Sequence, residues 1–304
     1  MALIISTDKL PPKALESLTG SVVIDVGVGD KDLGASEVLI TWPNKLAKET
    51  LVKATKLRAV QFLSAGVDEV PYSIIPRNIR LFSNADAFSI SVAEHAWALI
   101  LALAKNVNKA DEKSESRRLF GRTLVVLGCG GIGSEVARIG KGFGMQVIGV
   151  SRSFLRPEYL DEKKDDISHL DLVLTRADVL VCALPVNKVT RNLLNYENLS
   201  RAKVNSIIVN VSRAEVFEKD GLLRFLRERP ETRYGTDVFW RKDGKEIFDS
   251  KLMEMRNFLG TKHKAGLGAS VEARNDAFIR AAENVSLFVK TGNANNEIKV
   301  SDYI

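Results

Sequence analysis

Leu124-Val125-Val126-Leu127-Gly128-Cys129-Gly130-Gly131-Ile132-Gly133 decides the fold. The four apolar residues form a continuous run, as in parallel strands buried on both faces. A G-x-G-x-x-G follows at once, and residues 134–142 then read as a helix. The glycine pattern alone is weak, but strand, glycines and helix in that order are fairly specific for a dinucleotide site. Gly128 permits the tight turn, Gly130 lets the backbone approach a pyrophosphate, and Gly133 lets helix and strand pack closely. The helix N-terminus, with Gly131 and Ile132 just before it, presents unpaired N–H groups and the positive dipole end to phosphates. The plain alternative is a glycine-rich turn with no ligand.

The same alternation extends outward in both directions. Upstream, residues 2–6, 22–26, 38–41, 59–62 and 79–82 read as strands, with helices at 12–18 and 45–54. Pro11 and Pro12 suit a helix start, where a missing N–H costs nothing. A long Ala- and Leu-rich helix at 91–108 is apolar all round, which predicts burial between layers or domains. Downstream strands fall at 146–150, 179–183, 206–211, 233–238 and 258–260, with helices at 219–229 and 272–290. The expectation is α/β, with two Rossmann-like or flavodoxin-like βαβ series, each building a parallel sheet. No repeat or low-complexity linker separates them.

The 304 residues suffice for two cores, and 45% hydrophobic against 27% charged is an ordinary globular balance. Residues 96–104 form the longest apolar run, too short for the ~20 residues a bilayer needs. The N-terminus shows no basic leader or small-residue cleavage site. Cys129 and Cys182 make neither a disulfide framework nor a metal-ligand spacing. A soluble, reducing, cytoplasmic setting without a bound metal is expected, with the cysteines as small buried residues. The net charge of +6 invites thought of nucleic acid. The charged stretches 109–118 and 158–166 mix both signs, however, as solvated helix faces do. Neither a nucleic-acid nor a membrane partner is expected.

The second strand of the nucleotide half ends near Val150, where a carboxylate normally binds the adenosine ribose of NAD. Ser151-Arg152-Ser153 stands there instead. A guanidinium between two hydroxyls favours a 2′-phosphate through charge-assisted hydrogen bonds. NADP(H) is therefore expected over NAD(H), which stays possible. The plain alternative is an Arg152 that merely faces solvent.

Several further motifs occur in a telling order. Ser64-Ala65-Gly66-Val67-Asp68 resembles the substrate-loop A-G-x-D of the D-isomer-specific 2-hydroxyacid dehydrogenases, a family that includes glyoxylate/hydroxypyruvate reductases and phosphoglycerate dehydrogenases. Ser91-Val92-Ala93-Glu94-His95 resembles the start of its interdomain helix. Ala183-Leu184-Pro185 with Thr190 and Leu194 resembles its P-x-(4)-T-x-x-L segment. Asn210-Val211-Ser212-Arg213 resembles N-x-[SA]-R, with Ala214 in place of the usual glycine. Asp237-Val238-Phe239 resembles D-V-F. Thr261-Lys262-His263-Lys264-Ala265-Gly266 resembles T-P-H-x-A-G, with Lys262 in place of proline. The resemblance covers almost the whole chain.

The resemblance implies hydride transfer between NADP(H) and C2 of a small, anionic D-2-hydroxy or 2-keto acid. Arg213 would fix the substrate carboxylate and polarise its carbonyl, as a guanidinium can. His263 would give the proton. Backbone N–H groups near Ala65 and Gly66 would help hold the carboxylate. Leu184, Pro185, Thr190, Val211, Ser212 and Asp237 would join the glycine loop and residues 151–153 around the cofactor. Singly, Arg213 or His263 would read as an ordinary exposed residue, and only the ordered motifs lift them. His95 is expected to pack or hydrogen-bond, and His169 to face solvent. Phe62 and Trp240 could shape a substrate pocket or belong to the core.

One departure matters. The family places a glutamate in an E-P pair shortly after the D-V-F aspartate, where it orients the catalytic histidine. Lys242 stands there in this chain, and the segment 240–246 looks about two residues longer than usual. Asp243 or Glu246 could take the role after a loop shift.

The implied architecture is a substrate domain of residues 1–94 plus 273–304, a cofactor domain of residues 95–272, an intervening active-site cleft and a homodimer. No regulatory domain is expected beyond the last helix. Two other functions compete. A non-enzymatic, dinucleotide-sensing binding protein on the same fold is favoured by the missing E-P glutamate and opposed by retention of Arg213 and His263. An L-2-hydroxyacid dehydrogenase would carry its glycine motif near the N-terminus, whereas about 120 residues precede it here.

Overall fold

The computed structural model describes residues 1–25, 29–107, 115–248, 250–266 and 270–304. The chain divides into two units, Met1–Phe88 with Ser270–Ile304, and Ser89–Ala269.

The first unit opens with β1 (Leu3–Ser6), α1 (Pro12–Ser17), β2 (Val22–Ile24), α2 (Asp30–Ala35), β3 (Val38–Thr41), α3 (Lys48–Lys53), β4 (Ala59–Phe62) and β5 (Arg80–Phe82). The five strands pair in parallel in the order β2-β1-β3-β4-β5. This is the flavodoxin-like order. Successive side chains alternate across a strand, so each strand feeds both faces. Ile4, Val38, Ile40 and Phe82 enter one core, while Ile5, Leu39, Val60, Phe62 and Leu81 enter the other. Phe62 is therefore a core residue.

The second unit runs through α4 (Ser89–Lys105), β6 (Thr123–Cys129), α5 (Gly131–Gly142), β7 (Gln146–Phe154), β8 (Glu162–Lys164), α6 (Leu170–Leu174), β9 (Val179–Cys182), α7 (Tyr196–Ser200), β10 (Ile207–Asn210), α8 (Lys219–Glu228), β11 (Arg233–Thr236), β12 (Arg241–Lys242), β13 (Lys245–Glu246), α9 (Ser250–Met253) and β14 (Phe258–Gly260). Seven strands form a parallel sheet in the order β14-β11-β10-β9-β6-β7-β8. It is the Rossmann order extended by one strand, and its order reverses at β6, where ligands bind outside the strands' carboxyl ends. β12 and β13 form a separate antiparallel hairpin. The chain then returns to the first unit as α10 (Val271–Thr291), whose Phe278, Ala281, Val285 and Phe288 complete the core holding Ile4 and Phe82.

Several expectations change. The helix expected at 45–54 is a single turn at Pro43–Lys45 followed by α3. The break at Leu46 and Ala47 lets Leu46 and Leu51 reach the same core. The stretch 158–166 is not a helix face. It contains β8, an edge strand whose charges suit an open sheet edge and form Lys164–Glu162 and Arg176–Glu162 bridges. β7 runs four residues past Val150, so residues 151–153 continue the strand. The long helix spans Ser89–Lys105, where Asn106 turns left-handed at φ 54°. Val26, Asn108 and residues 109–114 lie outside the described residues. α4 belongs to the second unit, packing on α5, β10 and β11. There Trp97 stacks on Phe143 at 4.7 Å and donates to the Val136 carbonyl at 3.1 Å. His169 is half-buried rather than exposed. No helix among the described residues is long and apolar enough to cross a membrane.

Candidate active site

The glycine loop turns between β6 and α5, at the point where strand order reverses. Gly128 sits at φ +89°, and a Cβ there would lie 2.7 Å from the Ala183 carbonyl oxygen. A Cβ on Gly133 would lie 1.8 Å from the Gly128 carbonyl oxygen. Strand and helix approach too closely for any side chain. Gly130 has nothing within 4 Å of its Cβ position. The loop is thus closed by two glycines and open at the third, the arrangement a pyrophosphate needs.

A cavity of about 360 Å³ opens beside it. Gly128, Gly130, Ser151, Arg152, Ser153, Leu184, Pro185 and Thr190 all line it. Gly131, Ile132 and Gly133 form the first turn of α5 next to this cavity. Val211, Ser212 and Asp237 are not among its lining residues; they lie at the ends of β10 and β11. Val150, Asp165, Asp166, Ile167, Ala183, Asn187 and Val189 also line the cavity. The two aspartates carry no signal of this role in the sequence, because a mixed-sign stretch there reads as a helix face. Asp166 accepts from the Ser168 N–H at 2.9 Å. Thr190 shapes the rim, donating to the Pro185 carbonyl at 2.6 Å and accepting from the Asn187 N–H at 3.0 Å. The cavity, its open glycine and the helix terminus fit a dinucleotide.

Arg213 follows β10 on a turn organised by Asn210. The Asn210 side chain accepts from Ser212 N–H and Oγ at 3.0 and 2.9 Å and donates to the Arg213 carbonyl at 3.0 Å. Arg213 is half-buried, and one guanidinium nitrogen donates to the Ser212 carbonyl at 2.9 Å.

His263 follows β14 on a loop clamped by Asp237, whose residue is 2% exposed. One Asp237 oxygen accepts from Thr261 Oγ at 2.5 Å and Lys264 N–H at 2.8 Å, and the other from Ala265 N–H at 2.8 Å. The Asp237 carbonyl accepts the His263 N–H at 2.9 Å. His263 itself is held at φ +48°. Because the Thr261 hydroxyl proton goes to Asp237, His95 Nε2 donates to that hydroxyl at 2.7 Å. His95 thus makes the hydrogen bond expected of it. What the structure shows of Asp237 is a clamp on the histidine loop.

The choice between Asp243 and Glu246 falls on Glu246. His263 Nδ1 donates to Glu246 Oε1 at 2.8 Å, with the side chains 50% and 15% exposed. Asp243 and Gly244 form the hairpin tip at φ 51° and 73°. This is the Asp-Gly signature of a two-residue hairpin turn. It sets Glu246 opposite Arg241. Trp240 packs on the core and donates from Nε1 to the Phe217 carbonyl at 3.2 Å. Lys262 lies 4.6 Å over the Phe248 ring.

Ala65 and Gly66 lie in the first unit, on the loop after β4, where Ser64 Oγ donates to the Gly66 carbonyl at 2.7 Å. Both cysteines are buried. Burial pushes the Cys129 thiol up to about 12 and raises Cys182 as well. Neither is a nucleophile at neutral pH.

Residues 79–265 match the model of the D-isomer specific 2-hydroxyacid dehydrogenase NAD binding domain. A D-3-phosphoglycerate dehydrogenase from Methanocaldococcus jannaschii is 29% identical over 99% of this chain, which spans 60% of that enzyme's length. A glyoxylate reductase from Pyrococcus furiosus is 28% identical over 85% of this chain and 80% of its own. A crystal structure from Pyrobaculum aerophilum, provisionally described as a formate dehydrogenase, is 32% identical, covers 100% of both chains and superposes with a TM-score of 0.86.

Proposed function

This chain belongs to the D-isomer specific 2-hydroxyacid dehydrogenase family, and from its site we propose an NADP(H)-preferring reductase of a small 2-keto acid, of glyoxylate/hydroxypyruvate type. One observation carries the reading. The His263–Glu246 pair is built at the carboxyl edge of the same sheet that carries the glycine loop and Arg213.

When bound, the nicotinamide dinucleotide supplies the hydride. Gly128, Gly130 and the first turn of α5 would hold its pyrophosphate. Arg213 binds the substrate carboxylate and draws electron density from the carbonyl oxygen. His263 donates a proton from Nε2 to the carbonyl oxygen, while Glu246 on Nδ1 fixes the tautomer.

Arg152 in the cofactor cavity supports NADP(H). Asp165 and Asp166 in the same cavity favour NAD(H), since carboxylates bind ribose hydroxyls and repel a 2′-phosphate. Comparing kcat/KM for NADPH and NADH in wild type and R152A decides this. A preference for NADPH that R152A abolishes supports the proposal, and a wild-type preference for NADH overturns it.

Oxidation of NADPH is followed with glyoxylate, hydroxypyruvate, pyruvate and bulkier 2-keto acids. Turnover lost in R213A and H263A supports the reductase. Tight dinucleotide binding with no turnover on any acid gives way to the dinucleotide-sensing alternative. A cytoplasmic homodimer belongs to the same proposal, and sedimentation of the purified chain tests the dimer.

A further inference from the structure

The hairpin that delivers Glu246 is anchored by an ion pair the proposed chemistry does not use. Arg241 Nε donates to Glu215 Oε1 at 2.8 Å, and these side chains are 16% and 14% exposed. Arg241 is also the cross-strand partner of Glu246. Directly opposed residues of an antiparallel pair project from the same face with Cβ atoms ~5 Å apart. Glu215 in turn lies on the helical turn Ala214–Val216 that follows Arg213. Glu215 and Glu246 each bury a second carboxylate oxygen, Oε2, that has no hydrogen-bond partner among the described residues.

A largely buried ion pair set across the hairpin from Glu246 is not explained by fold stability alone. A buried ion pair is weak evidence for stability, because desolvation offsets much of its attraction. What it does provide is placement. A two-stranded hairpin is marginal alone in water, so this hairpin needs an anchor to hold Glu246 at one distance from His263. The anchor used is the turn next to Arg213. We propose that Arg241, gripped by Glu215, is a positioning residue: it fixes the hairpin so that Glu246 meets His263 Nδ1. Arg241 touches no reacting atom and acts through Glu246. This rests on the proposed role of His263 and Glu246.

The test compares R241M, R241K, E215Q, E246Q and the double variant R241M/E246Q, with folding checked by thermal unfolding. Two readouts are used. One is kcat and KM for the best 2-keto acid. The other is the ¹⁵N spectrum of the histidine rings, which reports the His263 tautomer without turnover; the chain has three histidines. R241M is expected to lower kcat about tenfold, less than the ~10²-fold that proton transfer itself contributes at the low end, with KM little changed. It should also shift His263 away from the Nδ1–H form. E215Q should do the same more weakly, and R241K should recover most of both signals. In the E246Q background, R241M should cost nothing more.

The inference is overturned if folded R241M keeps the wild-type kcat and His263 spectrum, or if its loss adds to that of E246Q. If R241M does not fold, R241K and E215Q decide: wild-type His263 signals in E215Q together with no recovery in R241K overturn it. Failure of the underlying reading looks different. There, wild type turns over no 2-keto acid while the spectral effects of R241M and E246Q persist, and the positioning role survives the lost activity.

Discussion

Replacing Glu246 by Gln keeps shape and one acceptor oxygen while removing the charge opposite His263 Nδ1. A hydrogen bond to a charged group is worth about 1.5–3 kcal/mol. Here the contact is 2.8 Å long, but His263 is half exposed and water screens it, so the lower end applies. At about 1.4 kcal/mol per decade, the expected loss in kcat for keto-acid reduction is roughly tenfold. Glu246 touches His263 and not the substrate, so the loss should fall on kcat with KM little changed. D243N is the control, because asparagine tolerates the left-handed tip position that Asp243 occupies at φ 51°. The assay is initial rates of NADPH oxidation over a range of keto-acid concentrations. A wild-type kcat in E246Q, or a larger loss in D243N, would refute the assignment.

Three further outcomes are expected. D237N removes one of two acceptor oxygens that serve Thr261, Lys264 and Ala265. It should cost about 2–4 kcal/mol in urea unfolding, with kcat falling alongside; a change under about 1 kcal/mol would show the clamp is dispensable. G133A forces a Cβ to 1.8 Å from the Gly128 carbonyl and should yield misfolded protein, whereas G130A has open space. G130A should therefore fold normally and lose dinucleotide affinity, and equal stabilities for the two variants would contradict the packing. Cys129, pushed up to about 12, and buried Cys182 should resist a thiol reagent such as dithionitrobenzoate at pH 8 until the protein is unfolded; prompt labelling of native protein would be incompatible with their burial.

Both sheets were legible because their strands are apolar runs of four or so residues bounded by polar ones, such as 38–41, 59–62 and 124–127. The glycine loop was legible because each glycine answers a steric demand, and the contacts of Gly128 and Gly133 bear that out. β8 was not, because Glu162-Lys163-Lys164 sits at an open edge where no apolar pattern is required. The hairpin was missed for a similar reason: residues 241–246 are nearly all charged. Asp243-Gly244 was the signal that could have found it, since a two-residue turn there pairs residue 241 with 246 and removes Asp243 to the tip. The carboxylate partner of His263 was thus a question of strand register, which charge composition does not encode. The clamp formed by Asp237 was invisible because its three donors come from Thr261 to Ala265, far along the chain.

The return of the chain as α10 bears on biosynthesis. β1 to β5 leave the ribosome first, yet Ile4, Val38 and Phe82 are covered by Phe278, Val285 and Phe288. Residues 89–269 must be made in between, roughly 10–40 s at about 5–20 residues per second. For that interval one face of a nascent parallel sheet keeps only the partial cover of Leu10, Ala14 and Leu18. The cell meets a sticky, half-built domain for longer than most small domains take to fold. A ribosome stalled just before α10 should therefore recruit chaperone, and release it once α10 emerges.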